Sequence, residues 1–372
     1  MATTIDATDI RYMQMALGLA RRGLGTVWPN PAVGCVLVDA EGRVAGRGWT
    51  QPGGRPHAEA EALARAGAGA RGATAYVSLE PCSHTGETPP CADRLIEAGI
   101  VRAVIAISDP DERVSGSGIA RLERAGMEVL TGVGTAAATE LNAGYLRRVE
   151  DGRPLVTLKV ATTLDGRIAT HAGESRWITG EVARGWAHFL RASHDAVMVG
   201  LGTAIADDPR LTCRLPGLED RSPVRVVVDG RLRLPLTSQL VSGARQTPSW
   251  IVTLAGGEAR RRDAFIESGV EMIEVEAGAD DNPDMGLALG ALGDRGLTRV
   301  LVEGGSKLAA SLLKARLVDR LAWFRSPDIM GGDGVPVAEA FGVDALTDML
   351  TFTRLSMVEA GDDVLETYTF SG

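Results

Sequence analysis

His57-Ala-Glu59, followed by Glu80-Pro-Cys-Ser-His-Thr-Gly-Glu-Thr-Pro-Pro-Cys91, decides how this chain is read. His57 comes just after Pro56 at the start of a predicted helix, Glu80-Pro81-Cys82 follows a predicted strand, and Cys91 opens the next helix. One imidazole and two thiolates are good zinc ligands, and three protein ligands leave a fourth tetrahedral position for water. Glu59 lies two residues from His57 and need not bind the metal. A structural reading competes: a buried cysteine pair with a capping histidine, and Glu59 merely favouring a helix N-terminus. A closed structural site would recruit Cys35 or His84 as fourth ligand, and it would have no use for Glu59.

The catalytic reading is therefore preferred. Its pattern, H-x-E then P-C and C, is the zinc-deaminase constellation, in which the glutamate carries protons from water to the departing amine. Here eight residues, Ser83 to Pro90, separate the cysteines, where the usual signature has two. The loop on the substrate side is larger accordingly.

Outward from this stretch, helix and strand signals alternate. Ala32–Val38 and Arg43–Trp49 read as strands around the turn Asp39-Ala-Glu-Gly42. Ala58–Ala66 reads as a helix, Ala73–Leu79 as a strand, Ala92–Ala98 as a helix and Val101–Ile107 as a strand. Ile119–Ala125 and Met127–Leu130 follow as helix and strand, and Thr135–Arg148 as a helix. At the N-terminus, Ile10, Met13, Leu17 and Ala20 mark one face of a helix ending at Gly23. Glu150-Asp-Gly-Arg-Pro154 is a polar break, so the domains are placed at 1–150 and 151–372. Beyond it, strands are predicted at Leu155–Ala161, Ala196–Val199, Val224–Val228, Trp250–Leu254, Val270–Val275 and Arg299–Val302. Helices fall at Glu181–Ala192, Arg260–Ser268 and Lys307–Ala315. Leu350–Met357 and Asp363–Phe370 close the chain as an antiparallel pair. The class is α/β.

Composition narrows the function. The 372 residues are 45% apolar and 23% charged, which suits globular domains with real cores. A net charge of −9 argues against a large nucleic-acid surface. No run reaches the roughly 20 apolar residues of a membrane span, and the N-terminus lacks the layout of a secretory signal. The expected location is the cytoplasm. Four cysteines are too few for a disulfide scaffold of this length.

In the second half, Arg299-Val-Leu-Val-Glu-Gly-Gly-Ser-Lys-Leu308 reads as strand, Gly-Gly turn and helix start, suited to a phosphate. Asp195–Ala204 reads as another strand, ending in Gly-Leu-Gly-Thr203 at a turn into a helix. Neither turn is a full dinucleotide or P-loop fingerprint, and each can equally be a plain βα turn. Arg191, Arg210 and Arg214 flank Asp207-Asp-Pro-Arg-Leu-Thr212, a spacing that permits a phosphate clamp or a solvated surface.

Pro29-Asn-Pro-Ala-Val-Gly-Cys35, His57-Ala-Glu59 and the 80–91 stretch resemble the deaminase half of the bifunctional riboflavin-biosynthesis deaminase/reductases. Leu158–Ile168, Gly173–Thr179, Ala204–Thr212 and Val302–Lys307 resemble the reductase half. The resemblance implies a cytidine-deaminase-like α/β/α domain and a dihydrofolate-reductase-like α/β domain. It implies that His57, Cys82 and Cys91 hold one zinc, that Glu59 is the proton shuttle and that Asn30 helps bind substrate. It implies NADPH at Ala161, Trp177, Thr203, Asp207 and the run Gly305, Ser306, Lys307, Leu308, Ala309, Ala310, Ser311. It implies phosphorylated substrate at Lys159, Ser175, Arg191, Leu211, Arg214 and Glu303, with Lys159 positioning the hydride transfer. Two departures touch substrate recognition: Glu87 replaces a usual basic residue, and Asp109-Pro-Asp-Glu112 replaces a usual Asp-Pro-Asn-Pro.

The expected enzyme deaminates a diaminopyrimidinone ribosylamine phosphate and then reduces its ribosyl chain to ribityl. Its partner is that small phosphorylated pyrimidine, with neither nucleic acid nor membrane, and it is expected to form a homo-oligomer, a dimer or tetramer. Two alternatives remain: a nucleobase or tRNA deaminase fused to an unrelated domain, and a zinc-stabilised binding protein with both sites inactive. The acidic charge and the eight-residue insert oppose the first, and Glu59 with Lys159 opposes the second.

Overall fold

The computed structural model describes residues 5–84 and 89–372. They form two compact units, one ending at Gly152 and the other running from Arg153 to Gly372.

In the first unit the order is α1 (Ala7–Ala20), β1 (Gly34–Val38), β2 (Val44–Trp49), α2 (Ala58–Ala66), β3 (Thr74–Val77), α3 (Cys91–Glu97), β4 (Arg102–Ile105), α4 (Ser117–Arg124), β5 (Glu128–Thr131) and α5 (Thr135–Asp151). The sheet runs β2-β1-β3-β4-β5. The β1–β2 and β1–β3 pairs are antiparallel and the other two parallel. β1 is buried along its length, since helices cover both faces. α2 lies so close to β2 that a Cβ on Gly48 would sit 2.3 Å from the Ala58 carbonyl oxygen. Only glycine permits that approach, which sets the height of α2 and of His57 at its start.

Two sequence expectations change here. Ile10 faces solvent at 47% exposure, and the buried stripe of α1 is Asp9, Tyr12, Met13, Ala16, Leu17 and Ala20. The polar run after Arg148 does not end α5, which continues through Glu150 and Asp151 to a left-handed C-cap at Gly152.

The second unit contains β6 (Leu155–Thr162), β7 (Arg167–Ala169), α6 (Glu181–Ala192), β8 (Ala196–Gly200), α7 (Leu201–Asp207), β9 (Val224–Val228), α8 (Gln239–Ser242), β10 (Ser249–Leu254), α9 (Ala259–Glu267), β11 (Glu271–Val275), α10 (Met285–Asp294), β12 (Arg299–Glu303), α11 (Ser306–Lys314), β13 (Arg320–Arg325), β14 (Val335–Pro336), β15 (Phe352–Ala360) and β16 (Asp363–Phe370). Its nine-stranded sheet runs β11-β10-β9-β8-β12-β6-β13-β16-β15. The seven strands from β11 to β13 are parallel, and the closing hairpin adds two antiparallel ones. Small or branched apolar residues fill the central strands: Val197, Val199, Val227, Ile251 and Leu301 are all buried in one core cluster.

β8 ends at Gly200 and α7 starts at Leu201, so Gly202 and Thr203 are helical and do not prolong a strand. Five elements escape sequence reading: the short β7, α8 and β14, together with β13 and α10. β13 sits between β6 and β16 although charged Arg320 and Arg325 end it. α10 contains three glycines, yet Asp284 caps it by accepting the Leu287 N–H at 2.9 Å.

Candidate metal centre and second-unit cleft

His57 is the N-cap residue of α2, with extended backbone angles and no side-chain cap hydrogen bond. Cys91 is the first residue of α3, and Cys82 lies on the segment leaving β3. These elements bring the three side chains together: His57 Nδ1 is 3.6 Å from Cys82 Sγ and 3.3 Å from Cys91 Sγ. The donor atoms all lie within 4.8 Å of one another. A tetrahedral zinc with Zn–S of about 2.3 Å and Zn–N of about 2.0 Å places its ligand atoms roughly 3.5 Å apart. The spacing and the donor set fit zinc. Neither Cys35 nor His84 belongs to the cluster, which among the described residues is a set of three.

The electrostatics suit a cation. The Cys91 main-chain N–H at the start of α3 donates to Cys82 Sγ at 3.3 Å. Hydrogen bonding from Cys91, then from His57, brings the Cys82 thiol down to about 4 despite its burial. Its thiolate neighbour pushes the Cys91 thiol up, and the hydrogen bond to Cys82 raises the His57 imidazole. Glu59 is 3% exposed, and burial raises its carboxyl while the imidazole of His57 draws it back. It interacts with the Cys91 thiol and stands outside the donor cluster.

Asn30 is half-buried beside the turn that leads into His57: Gly53 N–H donates to the Thr26 carbonyl, and Gly54 packs against the Asn30 side chain. Asp109 is buried and accepts from the Tyr145 hydroxyl at 3.0 Å, while Asp111 pairs with Arg113. The Glu87 departure lies outside the described residues.

In the second unit an open cleft of about 2290 Å³ gathers the predicted residues. Lys159, Ala161, Ser175, Trp177, Arg191, Thr203, Asp207, Leu211, Arg214, Glu303 and Gly305 to Ser311 all line it. Lys159 and Ala161 share a face of β6 because side chains alternate along a strand. Lys159 is paired in register with Glu303 on β12, and its Nζ lies 5.5 Å from the Phe324 ring centre. Burial lowers the Lys159 ammonium, and Glu303 partly restores it. For Glu303, burial acts upward but Arg191 and Lys159 outweigh it, leaving the carboxyl at about 2.

Arg191 is not free for a phosphate. Its Nε and Nη2 donate to the two Glu303 oxygens at 2.5 and 2.8 Å, and its Nη1 to the Thr212 carbonyl at 3.0 Å. Arg210 spends Nε on Gln239. Arg214 is exposed, and partial desolvation, with repulsion from Arg191 and Arg210, lowers its guanidinium. Leu211 has a left-handed backbone, φ +54°, and its side chain sits in the core. Such a conformation costs about 1 kcal/mol.

Gly304 and Gly305 have φ of +84° and +83°, and Gly305 is the N-cap of α11. A Cβ on Gly305 would stand 3.1 Å from Thr203 Oγ1 on α7. Both turns singled out in the sequence therefore meet at one wall. The positive φ values and the close approach to Thr203 give glycine a geometric reason here. Trp177 is 69% exposed, with the Arg184 guanidinium 4.6 Å over its ring. His188 also lines the cleft and was not singled out in the sequence. A lone helical histidine carries no local signal.

No helix among the described residues is long and apolar enough to cross a membrane. Two family models match the chain: the cytidine and deoxycytidylate deaminase zinc-binding region over residues 6–107, and the RibD C-terminal domain over 154–365. The chain is 41% identical to the riboflavin biosynthesis protein RibD of Bacillus amyloliquefaciens over 356 residues, 95% of this chain and 94% of that protein. It is 38% identical to the RibD of Escherichia coli K12, covering 96% and 98%. Among solved structures it resembles Acinetobacter baumannii RibD, with TM-score 0.88, 35% identity and coverage of 98% and 99%. It also resembles the Thermotoga maritima diaminohydroxyphosphoribosylaminopyrimidine deaminase/5-amino-6-(5-phosphoribosylamino)uracil reductase, with TM-score 0.85 and 34% identity. The expected pairing of a cytidine-deaminase-like with a dihydrofolate-reductase-like domain is borne out, and the C-terminal match displaces the alternative of an unrelated second domain.

Proposed function

The chain belongs to the RibD family, the bifunctional deaminase/reductases of riboflavin biosynthesis, and on that premise we propose how its residues divide the two reactions. The first unit removes the exocyclic amine of 2,5-diamino-6-(5-phosphoribosylamino)pyrimidin-4(3H)-one. The second reduces the ribosyl chain, giving 5-amino-6-(5-phosphoribitylamino)uracil.

His57, Cys82 and Cys91 hold one zinc per chain. When bound, zinc supplies the Lewis acidity that makes water nucleophilic near neutral pH. Glu59 takes the proton released by that water and delivers it to the leaving nitrogen. Its buried carboxyl, raised by desolvation, is poised to accept and return a proton. Asn30 orients the ring from the turn beside His57.

In the cleft, NADPH supplies the hydride for the sugar C1′. The turn at Gly305 and the N-terminus of α11 at Ser306 and Lys307 cradle its phosphates with Thr203, and Leu308, Ala309, Ala310 and Ser311 continue that side of the cofactor site. Ala161, Trp177 and Asp207 complete that wall. Lys159 positions the sugar, with Ser175 and the main chain of Leu211. Arg214 meets the substrate phosphate, and the Arg191–Glu303 pair presents a fixed carboxylate to the ribityl hydroxyls. The proposed compartment is the cytoplasm, where the four free cysteines stay reduced. The proposed assembly is a homo-oligomer, supported by exposed Leu355 and Met357 on the edge strand β15.

The observation that carries this reading is the His57–Cys82–Cys91 triangle with buried Glu59 beside it. Purified protein should carry one zinc per chain, release ammonia from the pyrimidine substrate and then oxidise NADPH. NADPH oxidation without ammonia release, in zinc-loaded protein, would remove the deaminase assignment.

A further inference from the structure

Glu80 directly precedes Pro81 and Cys82 in the metal motif and takes no part in the proposed proton transfer. It is nonetheless the most heavily engaged carboxylate near the metal centre. It is 3% exposed. Its Oε2 accepts the main-chain N–H of Asp109 at 3.2 Å and of Gly116 at 3.0 Å. Its Oε1 accepts those of Gly118 at 2.9 Å and Ile119 at 3.1 Å. Gly118 and Ile119 belong to the first turn of α4, whose N-cap Gly116 offers no side chain to satisfy those donors. Glu80 therefore caps α4 from another part of the chain, and its charge also favours that end of the helix dipole.

α4 in turn braces both cysteine segments. Ser117 Oγ lies 2.5 Å from Ser83 Oγ, and Arg121 Nη1 donates to the Ser83 carbonyl at 3.1 Å. Ser83 directly follows Cys82. Arg121 Nε pairs with Asp93 at 2.5 Å, and Asp93 lies in the first turn of α3, which Cys91 begins. From these contacts we propose that Glu80 is a positioning residue of the deaminase site, which sets α4 so that Arg121 fixes the separation of the Cys82 and Cys91 thiolates.

This inference rests on the zinc assignment made above. A metal binds tightly when its ligands are already at bonding distance, and loss of an outer partner typically costs 10–100-fold in affinity. Glu80→Gln replaces one acceptor oxygen by a donor that faces two N–H groups. In the full chain it should bind zinc about 10–100-fold more weakly in competition with a chromogenic chelator. Ammonia release should fall with it, while NADPH oxidation on the deaminated substrate stays at the parent rate.

Arg121→Met is the second variant. Its side chain is 43% exposed, so folding should survive, and it removes both Arg121 contacts, to the Ser83 carbonyl and to Asp93, while leaving the Ser117–Ser83 and Glu80 contacts intact. Zinc affinity should fall about 10-fold, and the ligand-field spectrum of the cobalt-substituted protein should change. If Glu80 only stabilises the fold, Arg121→Met binds zinc as the parent does with an unaltered cobalt spectrum, and the proposal is overturned. Glu80→Gln that folds and keeps parental zinc affinity overturns it as well. If Glu80→Gln does not fold, Arg121→Met decides alone. A parent protein that binds no zinc would instead overturn the metal assignment, a failure distinct from unchanged affinity in the variants.

Discussion

Arg191 on α6 holds Glu303 at the end of β12 through two hydrogen bonds, Nε to Oε1 at 2.5 Å and Nη2 to Oε2 at 2.8 Å, across 112 residues of sequence. Both side chains are nearly buried, at 13% and 11% exposure, and both line the second-unit cleft. The pair fixes the carboxylate in its ionised form beside Lys159 and spends the arginine on a protein partner.

Arg191→Met should therefore damage more than substrate affinity. Removing one partner of a buried ion pair costs about 3–5 kcal/mol, and a misplaced Glu303 should lower NADPH oxidation by about 100-fold. Arg191→Lys keeps the charge but loses the two-pronged geometry, so its loss should be intermediate. Ammonia release should stay at the parent rate in both. Parental reduction by Arg191→Met would show that the pair is only structural.

Glu59→Gln should keep its zinc and lose deamination by about 10³-fold or more, because the amide cannot accept the proton. Metal analysis and an ammonia assay on the same preparation check this. Loss of zinc in this variant would move Glu59 into the ligand set.

Cys35 and Cys213 are buried and lie outside the three-donor cluster. Cys35→Ser and Cys213→Ser should each retain one zinc per chain. An empty site in either variant would mean a fourth protein ligand, and a closed structural centre.

Gly305→Val combines a φ of +83° with a Cβ placed 3.1 Å from Thr203 Oγ1. Lower stability of the free second unit is expected from backbone strain alone, so it decides nothing about the cofactor. The deciding quantity is the rise in unfolding temperature that NADPH produces, which should vanish in the variant. A full NADPH-induced rise would take this turn out of the cofactor site.

His194 is buried at 4% exposure, with its ring nitrogens 2.7 Å from the Leu190 carbonyl oxygen and 2.9 Å from Thr157 Oγ1. Burial brings its pKa down to about 4 from 6.5. Between these values the unfolded chain binds a proton that the folded unit does not. This stabilisation is complete above pH 6.5 and is lost as pH falls toward 4, by about 3 kcal/mol in all. Unfolding of the full chain followed from pH 7 to 4 should show that slope, and His194→Gln should flatten it. An equal slope in the variant would assign the acid lability to other groups.

Spacing and periodicity act over a few residues, and what they govern was legible in the sequence. Val224–Val228 and Glu181–Ala192 have the ends read for them, because an apolar strand run and an amphipathic helix announce themselves locally. The donor trio was legible for the same reason: helix starts at His57 and Cys91 and a strand exit at Cys82 present the three types of ligand in order. β13 was not, since its short run gains its place only from neighbours that lie far away in the chain. Nor could sequence say that Arg191 would spend itself on Glu303, or that Glu80 would cap α4. Both are long-range choices of hydrogen-bond partner. They were made when strand order and helix packing brought buried charges and bare N–H groups together, where leaving either unpaired would be costly.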